Sequence, residues 1–146
     1  MADTGYNWGS WAAVTKSGTG DWTNLDIADD ANAGSAAISL DGLAAINFGL
    51  AIVEDNTGAI NGNVTIAVLR DVDGTNYEDI PGLAAAQVGS PYKFQITPVQ
   101  NDTVYIAFAI DPAQFGSSVK LWIVNEGGQT LTTTVKYQTA TIPVAS

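Results

Sequence analysis

The sequence contains neither cysteine nor histidine. Without cysteine there is no disulfide, no zinc–thiolate centre and no thiol nucleophile. Without histidine there is no Ser-His-Asp triad, no imidazole ligand and no imidazole proton shuttle. Bases are also scarce: five Lys and Arg face 15 Asp and Glu across 146 residues, a formal net charge of −10. This argues against a duplex-binding surface, because neutralising phosphates takes clustered Lys and Arg. Long apolar runs are missing too. The longest, residues 40–53, is broken by Asp41, Gly42, Asn47 and Gly49 and falls short of the ~20 residues a membrane helix needs. The first residues carry no basic stretch followed by an apolar core. The expectation is a chain made and folded in a bacterial cytoplasm, with no membrane partner.

What is present is an apolar-rich chain, 46% hydrophobic and 14% charged, which sets it apart from a disordered acidic tail. Its length suits one domain with a core of its own. The charge is uneven. Residues 1–69 hold eight acids and one base (Lys16), and residues 70–146 hold seven acids and four bases, Arg70, Lys93, Lys120 and Lys136. The simplest reading is a solvated acidic surface throughout; a repelling outer side and a more neutral partner side is the alternative.

The apolar pattern has period two, which is that of strands with one face turned inward. Ile46, Phe48, Leu50 and Ile52 alternate with Asn47, Gly49 and Ala51. The same alternation runs through Val64–Val68, Tyr92–Ile96, Val104–Ile110, Val119–Ile123 and Leu131–Tyr137. Weaker candidates are Ser10–Thr15, Trp22–Ile27 and Ser35–Leu40. Leu83–Val88 reads as a single helical turn or a loop. Asn61-Gly62 and Asp73-Gly74 are turn signals, the first suited to a tight hairpin. Glu126-Gly127-Gly128-Gln129 predicts a hairpin between the last two strands. Eight or nine strands with short turns predict an all-β, antiparallel two-sheet sandwich, a jelly roll first and an immunoglobulin-like sandwich second. Residues 1–11 are expected to form an extended N-terminal arm and residues 12–146 a single sandwich domain.

Asp71, Asp73, Asn76, Glu78 and Asp79 put four acids and an amide within nine residues. Calcium takes six to eight oxygens, so Asp71, Asp73, Asn76 and Glu78 are calcium candidates. The spacing is not that of an EF-hand loop, and a polar turn in which Asp and Asn bond their own backbone is the preferred reading. The acidic run 21–30 reads as a solvated loop in preference to a glycosidase carboxylate pair. No nucleophile elbow, phosphate loop or dinucleotide fingerprint occurs. Lys16 and Ser17 lie in a Gly-rich loop where nothing would desolvate the amine.

The aromatics are the other notable group. Tyr6, Trp8 and Trp11 lie close together beside Gly and Ser, a segment suited to pinning at a sheet edge or docking on another chain. Docking is the working expectation. Trp122 falls on the strand face opposite Val119, Leu121 and Ile123, and is suited to a contact or to the core. Tyr6, Trp8, Trp11 and Trp122 are therefore the interface candidates. Sugar stacking on the Trp and Tyr rings is the rival reading.

Several phrases resemble a known class. They are Val68–Glu78, Ser90–Phe94, Thr97–Thr103, Ile110–Gly116 and the Lys-Tyr-x-x-Ala-Thr-Ile-Pro ending within Thr132–Ala145. Across residues 38–146 the chain is similar to small structural proteins of tailed bacteriophages, in particular head decoration (cement) proteins. The resemblance implies a non-enzymatic virion protein on the outer surface of the head, β-rich and trimeric, that binds the major capsid protein and needs no cofactor. No catalytic or ligand residue carries over. A sugar-binding module of a fibre, or a hexameric tail or baseplate component, are the alternatives.

Overall fold

The structure, a computed structural model, describes residues 5–54, 58–78 and 92–142. The predicted Leu83–Val88 turn and Asp79 lie outside the described residues. Among the described residues, eleven strands make up two antiparallel sheets, with one 3-10 turn at Pro112–Gln114. They are β1 (Asn7–Trp8), β2 (Ala12–Ala13), β3 (Leu25–Ile27), β4 (Ala31–Gly34), β5 (Ile38–Ser39), β6 (Ala45–Glu54), β7 (Asn63–Arg70), β8 (Tyr92–Ile96), β9 (Asp102–Ile110), β10 (Ser118–Glu126) and β11 (Leu131–Thr141). The first sheet runs β1-β11-β6-β9, with β2 and β3 also on the β11 edge. The second runs β4-β10-β7-β8, with β5 also on β10.

The pairing is nested. β7 pairs with β8, β6 with β9, β4 and β5 with β10, and β1 to β3 with β11. The chain is thus a long antiparallel hairpin rolled into two layers, closed by the β11–β6 and β10–β7 ladders. All six strongly periodic segments are strands. β6 alternates without a break, with Ile46, Phe48, Leu50 and Ile52 buried. They meet Ile66, Val68, Leu121 and Ile123 of the other sheet in one core cluster, as sheets with one apolar face each require.

Two local expectations fail. β10 and β11 lie in different sheets, so the Gly-rich turn between them carries the chain across the sandwich and makes no hairpin. Buried Asn125 shapes this crossing. Its Nδ2 donates to the carbonyls of Ile27 (2.9 Å) and Gln129 (2.7 Å), and its Oδ1 accepts from Gly127 N (2.9 Å). Asn61-Gly62 likewise leads from one sheet to the other, with Asn61 N donating to the Gly127 carbonyl. Turn residues bend a chain; they do not state which sheet it enters next.

The weak signal of residues 7–27 also has a cause. β1, β2 and β3 are three short pieces laid along the single long strand β11, interrupted by an excursion at 14–22. Val14 N and Val135 N bond to Val135 O and Trp22 O on either side of it. The excursion reaches the other sheet, where Ser17 N donates to Gly34 O and Ala36 N to Thr15 O. It closes that side of the sandwich. Trp22 plugs the core beneath it, fully buried, its Nε1 donating to Thr133 Oγ1 at 2.8 Å. At the opposite side, the crossing from β8 to β9 is held by buried Glu54, whose Oε2 accepts from Asn101 N at 2.7 Å.

Candidate functional site

Residues 5–11, expected as an arm, run extended along their own sheet over the described part. Asn7 and Trp8 pair with Thr141 and Ala140, Gly9 N donates to Thr139 O, and Gln138 Nε2 donates to Gly9 O. The backbone is fixed and the rings are not covered. Tyr6, Trp8 and Trp11 stay 51%, 42% and 47% exposed, and Tyr6 meets Trp8 edge to face at 6.3 Å. Exposed rings on a fixed backbone lose little conformational freedom when a partner covers them.

Trp11 reaches over the outer face of the first sheet. A Cβ at Gly49 would lie 3.2 Å from Trp11 Cζ3, so glycine at the centre of this long strand is what seats the indole. Strand register extends the same surface. Tyr105, Ala51 and Thr134 form one cross-strand row, and Ala107, Gly49, Lys136 and Ala13 form the next. A shallow cavity of about 490 Å³ results, mostly apolar, with a floor of Gly49, Ala51 and Ala107 between Trp11, Tyr105 and Lys136. Tyr105 is 80% exposed. Its outward position was legible from the alternation of its strand. Its membership of the aromatic surface was not, because it lies more than 90 residues from Trp11 in sequence and depends on strand order.

No family model matches the chain, and no curated protein matches it. What the surface can do therefore rests on its own chemistry, which is stacking and apolar burial.

Trp122 lies on the outer face of the second sheet, partly buried. Its ring occupies the space that a side chain at Gly34 would take, and its Nε1 donates to Asn32 Oδ1 at 2.7 Å. It lies away from Tyr6, Trp8 and Trp11, so the four interface candidates do not form one patch. Beside it Lys120 Nζ sits 4.6 Å from the Tyr77 ring centroid, and Tyr77 Oη is 2.6 Å from Ser118 Oγ. Trp22, the remaining tryptophan, belongs to the core.

In the 71–78 segment the carboxylates serve the turn. Asp71 Oδ1 accepts from Asp73 N and Gly74 N, and Asp73 Oδ1 accepts from Thr75 N and Asn76 N. The Asn76 backbone bond, then its side-chain amide, then Thr75 N hold the Asp73 carboxyl below its ordinary value. Glu78 receives both Nε (2.9 Å) and Nη2 (3.1 Å) of Arg70, together with the Arg70 backbone N–H. That bidentate pairing holds the Glu78 carboxyl low against the opposing effect of burial. Among the described residues, no group of three or more acidic side chains is placed to hold a metal.

The acidic run 21–30 is likewise dispersed: Asp26 accepts from Thr132 Oγ1 and Asp29 accepts from Gly128 N. A second cavity, of about 320 Å³, opens between the sheet edges at Ser10, Thr15, Ala36, Ile38, Leu43 and Tyr137. Its lining carries hydroxyl and apolar side chains and no carboxylate, amine or guanidinium.

Proposed function

We propose that this protein is a non-enzymatic structural protein of a tailed-bacteriophage virion: a decoration protein, homotrimeric, that binds the major capsid protein on the outer surface of the head and bridges capsomers. The observation that carries this reading is the row of half-exposed rings, Tyr6, Trp8 and Trp11, fixed on a sheet edge. Large aromatics on a preorganised backbone are what a contact protein needs. The resemblance of residues 38–146 supplies the particle. A rigid sandwich of net charge −10 stays soluble in a dense array and suits a face turned away from packaged DNA. The nested pairing supports reading the sandwich as a jelly roll.

A second reading is favoured by the cavity between Trp11 and Tyr105: a sugar ring stacked there, with Lys136 and Thr134 as polar contacts, on a tail or fibre. Binding of the purified protein to heads that lack it separates the two. The double substitution Trp8→Ala and Tyr6→Ala should weaken head binding at least about a hundredfold, as loss of interface anchors does, with the melting temperature nearly unchanged. Undiminished head binding would overturn the decoration reading. Stacking of a glycan on Trp11 and Tyr105 would in that case show as hits on a glycan array.

A further inference from the structure

Among the described residues the two sheets have four edges, and three of them are blunted. The β11 edge is covered by β1, β2 and β3, pieces of two, two and three residues. On β10 lie β4 and β5, of four and two residues. Over the described residues β8 carries Lys93 as its second residue. Short, interrupted or lysine-bearing edges are the usual protection against unwanted strand pairing. β9 has no such protection. It is nine residues long and runs in continuous register with β6, from Ile46↔Ile110 to Glu54↔Asp102, without a bulge. It contains no proline, and no charged side chain between Thr103 and Ile110. Among the described residues it pairs on one side only, with β6.

The core is also less sealed beside β9. Phe48, Leu50 and Ile52 of β6 are buried, whereas their β9 partners Phe108, Ile106 and Val104 are only half-buried, as are Phe94 and Ile96 of β8. The far side of the sandwich is closed by the 14–22 excursion and by Trp22.

We propose that β9 pairs antiparallel with the β9 of a second copy of this chain, about a two-fold axis near Ile106. Three observations favour a second copy over another partner. Antiparallel pairing of one strand with itself is two-fold symmetric, so a single unprotected edge satisfies both chains. Full overlap of residues 102–110 places Tyr105, 80% exposed, opposite Ala107 of the other copy, large against small, and Phe108 opposite Val104. The uncharged run is also where two chains of −10 each can approach, since the closest like charges, Asp102 of one and Asp111 of the other, fall at the two ends. The contact is two-fold: it pairs two single chains, or joins two of the proposed homotrimers into a species of six, so its failure leaves the trimeric decoration reading intact.

The test uses the whole chain. Solution mass measured against concentration should show an even-numbered species, and the associated fraction should rise with added salt, because the contact is backbone and apolar while the charges repel. The chain has no cysteine, so Ala107→Cys gives one thiol per copy. A short bismaleimide should link two Ala107→Cys chains much faster than two Asp26→Cys chains, which carry the thiol on the opposite sheet edge. Ala107→Glu should weaken association by about tenfold, because like charges then face each other's edge, while the melting curve stays that of a folded monomer. Equal cross-linking at the two positions, a purely monomeric or trimeric mass at every concentration, or association that weakens with salt would each overturn the proposal.

Discussion

Glu78 and Arg70 show how a motif changes meaning once its partners are visible. In sequence Glu78 belongs to an acidic cluster; in the fold its two oxygens are taken by one guanidinium. Because the pairing holds its carboxyl below the unfolded value, the unfolded chain takes up the proton first as pH falls. The stabilisation is complete above the ordinary glutamate value of about 4.3 and is lost as pH falls through the lower folded value. Arg70 is 45% exposed, so solvent screening limits the pair to about 1 kcal/mol or less. Glu78→Gln should therefore cost up to about 1 kcal/mol near neutral pH. Urea titrations should show the gap to the unsubstituted protein closing once the pH lies below the folded value. A gap that persists in acid would mean that packing, not charge, is the source. Gly34 and Gly49 make a related point. Each leaves room for an indole, Trp122 or Trp11, on an outer sheet face, so two strand glycines that weaken β propensity are seats for surface rings.

At the scale of elements, strands were read more securely than connections. Six segments with uninterrupted alternation became β6 to β11, because a strand with one buried face must alternate. The first 40 residues gave a weak signal because five short pieces cover only the edges of two long strands, where few side chains face the core. The crossing from β10 to β11 was misread as a hairpin, since a Gly-rich turn serves both geometries. What decides is Asn125, which ties the crossing to Ile27 and Gln129 across the sandwich. Asn125→Ala would leave two carbonyls and the Gly127 N–H without this partner. It should cost about 1–3 kcal/mol, read by urea unfolding, with faster hydrogen exchange confined first to the 127–130 turn. Unchanged stability and exchange would mean that the backbone bonds alone hold the crossing. The aromatic surface was legible only in part. Tyr6, Trp8 and Trp11 stand out by local density, whereas Tyr105 joins them through strand order, which no local pattern encodes.

At the scale of the whole molecule, nested pairing places the first described residues beside the last: β1 lies on the end of β11. The aromatic edge is thereby built into a sheet held by both ends of the described chain, and a partner that covers Tyr6, Trp8 and Trp11 grips short edge pieces hydrogen-bonded to the long strand β11. The most direct test of this account is an electron-microscopy map of a particle containing this chain. The account predicts density for three sandwiches around each local three-fold position on the outside of the head, with the Tyr6–Trp11 edge turned toward the coat. Density confined to the tail, or a head surface bare at those positions, would contradict it.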